Sequence, residues 1–139
     1  MSTSDTSTEA VGTSTEAAGT SAGAIGTITA LQQLLREFAR ARDWEQFHSP
    51  KNLAMALTVE AGELQELFQW LTEAQSAQPD AQLLGRAAEE VADVFLYLCR
   101  LSDVLGIDLL QAAQAKLALN AERYPVAKAK GLARKYPDL

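Results

Sequence analysis

The sequence predicts an all-α protein, and three of its features lead to that prediction. Large apolar residues recur at intervals of three and four in each long segment, which is the spacing of an amphipathic helix. Residues that favour helix caps stand directly before these segments, and glycine or proline follows several of them. No segment alternates between apolar and polar residues over the length of a strand. Short connections between four such segments favour a four-helix bundle.

The first two helices are predicted on either side of the sequence DWEQFH. The first covers about 28–42, and Thr27 and Thr29 are its candidate cap residues. The second covers about 49–74. It begins with serine and proline, a cap residue followed by a proline in the first helical turn, where the missing N–H costs nothing.

The third and fourth helices are predicted after the loop SAQPDA. The third covers about 81–105, with Asp80 as its cap, and Gly106 ends it. The fourth follows the cap residue Asp108 and extends to about Tyr124, where a proline ends it. Both helices are therefore bounded by local signals at each end.

The two ends of the chain are predicted to lie outside the all-α domain, which covers residues 29–125. Residues 1–28 contain the near-repeats TSTEAVG, TSTEAAG and TSAGAIG and almost no large apolar side chains. This composition cannot bury enough apolar surface to offset the entropy lost on ordering, so we predict a disordered tail. Residues 126–139 are interpreted as a basic C-terminal tail.

Composition and charge limit the classes of function. The formal net charge of −6 argues against general binding of nucleic acid. No apolar run approaches the roughly 18 residues that a membrane span requires. Cys99 is the single cysteine, so an internal disulfide is excluded and a reducing, cytoplasmic location is expected.

The second and third predicted helices carry more apolar surface than one core-facing stripe needs. The surplus includes Phe68 and Trp70 on the second helix and Val91 and Phe95 on the third. Burial against further copies of the chain explains this surplus, and so does the lining of a ligand pocket. We predict an obligate homo-oligomer, with a tetramer favoured over a dimer.

Four carboxylates on these two helices form the pattern that indicates chemistry: Glu60, Glu63, Glu90 and Asp93. Each pair is spaced i, i+3, so both acids of a pair project from one side of their helix. On a helical wheel Glu60 falls in the middle of the apolar stripe, where an uncompensated carboxylate is costly. Two such helices facing each other would surround a hard divalent cation with oxygen ligands, and we predict Mg2+, with Mn2+ as the alternative.

Histidine placement argues against a redox metal at this site. A di-iron carboxylate bundle needs a histidine three residues after a glutamate on its helices. The single histidine, His48, precedes the second predicted helix instead. The pattern therefore favours an all-oxygen site.

The residues around the acids resemble a known family. EAGELQELFQW followed by EEVADVFLYL is similar to the all-α nucleoside triphosphate pyrophosphohydrolases of the MazG type. The longer strings RDWEQFHSPKNLAMALTVEAGELQELFQWL and KLALNAERYP resemble the dCTP pyrophosphatase branch of that family, over about residues 31–125. The resemblance implies a four-helix MazG-like bundle that hydrolyses a nucleoside triphosphate, dCTP and 5-modified dCTP above all, to the monophosphate and pyrophosphate.

The resemblance also implies roles for individual side chains. The family's Mg2+ ligands fall on the same four acids that the helical wheel selects, and Glu63 or Glu66 would polarise the attacking water. Its aromatic base pocket falls on Trp44, Phe47, His48 and Trp70, and its triphosphate and sugar contacts fall on Lys116, Asn120, Arg123 and Tyr124.

Three further residues are candidate substrate contacts because of their positions. Lys51 and Asn52 stand in the first turn of the second helix, where phosphate or a base edge can be bound. Tyr97 stands one turn beyond Asp93 on the same side of the third helix.

Several of these residues have structural interpretations as well. Trp44 and Phe47 are also explained as residues that fasten the loop to the second helix, and His48 as a cap partner near Ser49. The first helix carries leucine, at Leu34 and Leu35, where some relatives have a polar or histidine residue, which weakens the expectation of pyrimidine selectivity.

Two other functions remain open at this point. One is an all-α pyrophosphatase with a different base preference, such as dUTP or a broad set of nucleoside triphosphates. The other is a non-catalytic helical oligomerisation module, in which the acids pair with Arg86 and Arg100 between subunits.

Overall fold

The computed structural model describes residues 25–135, and these residues confirm the all-α prediction. They contain no strand. A 3-10 turn at Glu45–Phe47 joins the first two of the helices, which are α1 (Ile28–Arg40), α2 (Pro50–Glu66), α3 (Glu73–Ser76), α4 (Ala81–Val104), α5 (Leu109–Arg123) and α6 (Val126–Ala129). The predicted N-terminal tail falls mostly on residues 1–24, which lie outside the described residues, as do residues 136–139.

The predicted N-caps begin the four long helices. Each cap oxygen accepts a hydrogen bond from the backbone N–H three residues later, at 2.8–3.3 Å. These bonds satisfy N–H groups that have no partner within the helix. The cap residues are Thr27, Ser49, Asp80 and Asp108. At the other end of α4, Gly106 takes a φ of 65°, a left-handed conformation that glycine adopts without strain.

The prediction that the second helix extends to about residue 74 is wrong. Helix α2 ends at Glu66, and residues 67–70 form a turn. Thr72 then begins α3 with an extended backbone, and it exchanges hydrogen bonds with Gln75 in a capping box. A continuous helix would need the backbone N–H groups that form hydrogen bonds within this box. The chain therefore starts a new helix after Thr72 and does not continue α2.

Helix α4 is the centre of the packed part of the chain, and both α1 and α2 pack against it. Ala39, Leu53 and Cys99 are the buried apolar residues of the described part of the chain. Polar contacts reinforce the α1–α4 pair, because Gln32 Nε2 donates to Ser102 Oγ at 3.1 Å. Facing helices of this kind can bring side chains from distant positions of the sequence into one site.

Helix α5 forms where it is predicted but does not complete a bundle within one chain. None of its side chains is buried, and Leu117 is 70% exposed. It is not among the described helices that pack closely together. A single chain therefore packs three long helices, and the fourth presents its apolar residues to the surroundings.

Within the described part of the chain, no helix combines the length and apolar character needed to cross a membrane. The thiol of Cys99 is free and buried in α4. Burial raises the pKa of this thiol, which keeps it protonated and unreactive.

Candidate active site

The packing of α2 against α4 brings three of the four predicted acids together. One carboxylate oxygen from each of Glu60, Glu90 and Asp93 lies within 4.8 Å of the other two. Glu60 comes from α2, whereas Glu90 and Asp93 stand one turn apart on α4. The i, i+3 spacing on α4 and the position of Glu60 in the apolar stripe of α2 thus produce the cluster.

The electrostatics of the cluster favour a bound cation. Burial raises the pKa of Glu60, and the charges of Glu63, Asp93 and Glu90 raise it further, in that order. Within residues 25–135, none of these acids forms an ion pair with a lysine or arginine. Clustered carboxylates without a basic partner are the oxygen donor set that a hard divalent cation requires, so the residues present fit such an ion.

The two remaining acids of the prediction occupy different positions. Glu63 is exposed and lies outside the three-oxygen group, although its charge acts on Glu60. Glu66 is the last residue of α2 and is exposed. The structure therefore places Glu63 at the edge of the acid cluster and Glu66 at the end of the helix.

Two adjoining cavities with aromatic walls lie beside the acids. They have volumes of about 230 and 300 Å³, and Trp44, His48 and Tyr97 line both. Asp93 also lines the first cavity, so the acid cluster and the aromatic pocket share a side chain. The first is completed by Leu35, Phe38, Leu96 and Arg100, and the second by Phe47, Asn52, Leu53 and Ala56.

Trp44 contacts α1, and together with residues of α2 it also lines the second cavity. Its ring meets that of Phe38 edge to face, with ring centres 5.9 Å apart and planes at 71°. Asp43, with a φ of 54°, turns the chain so that the Trp44 N–H donates to the Ala39 carbonyl at 2.9 Å. On the far side of the turn, Asn52 Nδ2 donates to the Phe47 carbonyl at 3.0 Å.

His48 takes part in a hydrogen-bonded chain of charged residues that the sequence does not reveal. Arg100 Nε donates to His48 Nδ1 at 3.2 Å, and Arg100 Nη1 donates to Asp103 Oδ2 at 2.8 Å. The other oxygen of Asp103 binds Arg36 of α1. Ser49 caps α2 by itself, so the interpretation of His48 as a cap partner is replaced by its bond to Arg100.

The environment of His48 favours the neutral form of its ring. Burial lowers the pKa of His48 from its ordinary value of 6.5, and the charge of Arg100 lowers it further, while Glu45 opposes the shift. The prediction that Arg100 pairs with acids of another subunit is wrong, because Arg100 is buried and hydrogen-bonded within its own chain.

Other predicted substrate residues line neither of the two aromatic cavities within one chain. Trp70 follows the end of α2 and is 87% exposed. Lys51 is exposed in the first turn of α2. The four remaining residues belong to α5 or follow it directly, and none of them lines either cavity: Lys116, Asn120, Arg123 and Tyr124.

A roomier cavity of about 600 Å³ lies elsewhere, between the start of α1 and the turn from α4 to α5. It is lined by residues such as Thr27, Ile107 and Gln111, and none of the predicted site residues lines it. The aromatic pair of cavities is the better candidate because it shares Asp93 with the acid cluster.

Fold and site together define an all-α protein with a carboxylate cluster that fits a divalent cation. The chain belongs to the MazG-like family, which its residues 55–139 match. This range contains all four predicted acids. Among its relatives, dCTP pyrophosphatase 1 of Rattus norvegicus is 46% identical over 115 residues, a match that covers 81% of this chain and 68% of that protein. The corresponding protein of Homo sapiens is 44% identical, and the match covers the same fractions of the two chains.

A solved structure supports the same placement. The crystal structure of a pyrophosphatase from Archaeoglobus fulgidus superimposes with a TM-score of 0.63 at 37% identity, covering 70% of this chain and 92% of that one. The family resemblance found in the sequence is therefore confirmed.

Proposed function

We propose that this protein is a Mg2+-dependent pyrophosphohydrolase that converts dCTP and 5-modified dCTP to the monophosphate and pyrophosphate. The observation that carries the proposal is the cluster of three carboxylate oxygens within 4.8 Å, beside an aromatic cavity that shares Asp93 with it. The relatives named dCTP pyrophosphatase 1 support dCTP as the substrate. Removal of this nucleotide would serve to cleanse the nucleotide pool.

The acids would hold the ion and place the triphosphate. Glu60, Glu90 and Asp93 would supply the ligand oxygens, and Glu63, whose charge acts on Glu60, stands at the edge of this group. Mg2+ is favoured over Mn2+ as the ion because it takes carboxylate oxygens together with substrate phosphates. When bound, it neutralises the triphosphate and so makes the α-phosphorus open to attack by water.

A carboxylate outside the ligand group is needed to accept a proton from the attacking water. Glu63 is the better candidate, because it lies at the edge of the cluster, whereas Glu66 lies at the end of α2. A glutamate that is not held by the ion remains free to act as a base. Water then attacks the α-phosphorus, the bond to the bridging oxygen breaks, and pyrophosphate leaves with the electron pair.

The aromatic cavities would bind the base. Trp44 and Tyr97 offer rings for stacking, and His48 and Asn52 offer polar groups at the walls. Phe47 is exposed at the rim of the second cavity, where it can cover a bound base. The acids and the pocket meet at Asp93, so phosphates bound at the acids would lie next to a base in the pocket.

A homo-oligomer would complete the site. The predicted phosphate contacts Lys116, Asn120, Arg123 and Tyr124 lie on or just after α5, a helix whose apolar residues are exposed in one chain. Packing of α5 against further copies would bury those residues and bring cationic groups toward the acids of a neighbour. We propose a tetramer in preference to a dimer, in the reducing cytoplasm that the lone cysteine favours.

The first experiment is pyrophosphate release from the four deoxynucleoside and four ribonucleoside triphosphates, with Mg2+, with Mn2+ and with EDTA. Mg2+-dependent release that is strongest for dCTP supports the proposal. Release that is strongest for another nucleotide keeps the hydrolase and changes its base preference, which is the second candidate function.

Variants separate catalysis from a purely structural role of the acids. Glu63→Gln should lower kcat at least a hundredfold without unfolding the chain, whereas Glu89→Gln, an exposed acid of α4, should leave turnover unchanged. Absence of hydrolysis with every nucleotide would leave a non-catalytic oligomerisation module as the better description.

A further inference from the structure

The wall that the two aromatic cavities share contains His48, and a guanidinium fixes the state of its ring. Arg100 Nε donates a hydrogen bond to His48 Nδ1 at 3.2 Å. Because an arginine nitrogen only donates, the ring nitrogen that faces it carries no proton. The single proton of the neutral ring therefore lies on Nε2, and this nitrogen is left as a donor.

Arg100 is itself held in place from two helices. It is 8% exposed, and its Nη1 donates to Asp103 Oδ2 at 2.8 Å. Arg36 of α1 binds the other oxygen of Asp103. One aspartate between two arginines leaves an excess of positive charge beside His48, and burial and Arg100 lower the pKa of His48. Geometry and charge thus favour the same neutral ring.

We propose that Arg100 is a positioning residue for base selection: it holds His48 as a fixed Nε2–H donor that reads the unprotonated N3 of cytosine. Uracil and thymine carry a proton on N3, so the same donor rejects them. The inference rests on the proposed function, since it takes the base to bind in the aromatic cavities. To that function it adds Arg100 as the residue that determines the selectivity for cytosine.

Three other residues of the first cavity are less suited to this discrimination. The Tyr97 hydroxyl both donates and accepts, so it can adapt to either kind of base. Asp93 belongs to the acid cluster. Leu35, which α1 contributes to the wall, has no polar atom. His48 would lose its selectivity without Arg100, because the proton could move to Nδ1 and leave Nε2 as an acceptor for the N3–H of uracil.

The state of the ring can be measured directly, because His48 is the single histidine of the chain. Long-range 1H–15N NMR spectra of the untagged wild-type protein, labelled with 15N, distinguish the two neutral tautomers without substrate or metal. We expect the Nε2–H tautomer in the wild type and a mixture in Arg100→Met. The Nδ1–H tautomer in the wild type, or an unchanged spectrum in Arg100→Met, would overturn the proposal.

Substrate discrimination gives the second test. The ratio of kcat/KM for dCTP to that for dUTP should fall about fivefold or more in Arg100→Met, the effect expected of one neutral hydrogen bond. His48→Gln should lower the ratio similarly, because its amide both donates and accepts. Arg36→Gln is the matched control. It removes the ion pair between Arg36 and Asp103 but leaves the hydrogen bond between Arg100 and His48, so the ratio should stay constant.

The outcomes separate this inference from the proposed function. An unchanged ratio in folded Arg100→Met refutes the role of Arg100 while wild-type hydrolysis of dCTP stands. If the wild type does not hydrolyse dCTP, both proposals fail, and the bond to His48 has only a structural role. Should Arg100→Met not fold, the wild-type NMR spectrum and the His48→Gln ratio still decide.

Discussion

Arg100 Nη1 donates a hydrogen bond of 2.8 Å to Asp103 Oδ2, one turn further along α4. Both side chains are largely buried, and Arg36 binds the second oxygen of the same carboxylate. Replacing this carboxylate by an amide costs stability, because the amide carries no charge and offers one acceptor oxygen where the two guanidinium groups had two.

We therefore expect Asp103→Asn to lower the free energy of unfolding by about 1–3 kcal/mol. Urea unfolding followed by circular dichroism measures this change. Glu45→Gln is the control: Glu45 pairs with Arg40 across 3.7 Å at an exposed position, and its loss should change stability by less than about 0.5 kcal/mol. Equal effects of the two variants would contradict the buried network.

Glu60→Gln should make the metal-free protein more stable and remove its response to Mg2+. The pKa of Glu60 is raised in the folded chain, so at neutral pH its charge opposes folding, and this cost disappears as the pH falls through the raised pKa. Thermal unfolding in EDTA and in Mg2+ checks both parts. The wild type should gain Tm with Mg2+ and the variant should not. A variant that still responds to Mg2+ like the wild type would show that Glu60 is not a ligand.

His48 should make stability fall in mild acid. Its pKa is lowered in the folded chain, so below its ordinary value of 6.5 the unfolded chain binds a proton that the folded chain does not, and unfolding is favoured. The Tm should therefore fall as the pH decreases through 6.5 and toward the lowered pKa. The difference in Tm between wild type and His48→Gln, measured across this range, isolates the effect from that of Glu60. A difference that does not vary with pH would contradict it.

Cys99 should resist alkylation in the folded protein. The residue is fully buried, and burial raises the pKa of its thiol, so little thiolate is present and little of it is accessible. Labelling by iodoacetamide, followed by mass spectrometry, should be slow in buffer and fast in urea. Fast labelling without denaturant would show that α4 opens readily at this position.

Leu117→Glu should weaken the assembly of the chain. Leu117 is 70% exposed on α5, and Val126, just beyond this helix, is 77% exposed. A charge at Leu117 would prevent the burial of this surface in an oligomer. Light scattering after size exclusion should give a smaller mass for this variant than for the wild type, and activity should fall with it. Ala115→Glu, on the opposite side of α5, is the control, and equal masses for the two variants would contradict an interface at Leu117.

The sequence by itself determined the helices that begin at a cap and the acids that face one another. Thr27, Ser49, Asp80 and Asp108 act on N–H groups three residues away, so their effect is decided by the nearest neighbours in the chain. The i, i+3 spacing of Glu90 and Asp93 is likewise local, and the place of Glu60 in an apolar stripe indicates which side of α2 meets a neighbouring helix. The break after Glu66 is local as well, because the capping box of Thr72 and Gln75 starts a new helix there.

Only the tertiary structure decided which distant groups meet. The bond from Arg100 to His48 joins residues 52 positions apart, and that from Arg36 to Asp103 joins residues 67 apart, so no local pattern indicates either. The same holds for Glu63, which shares a helix with Glu60 but lies outside the three-oxygen group. Helix propensity and capping are decided within a few residues, whereas the partners of a side chain depend on how whole helices pack.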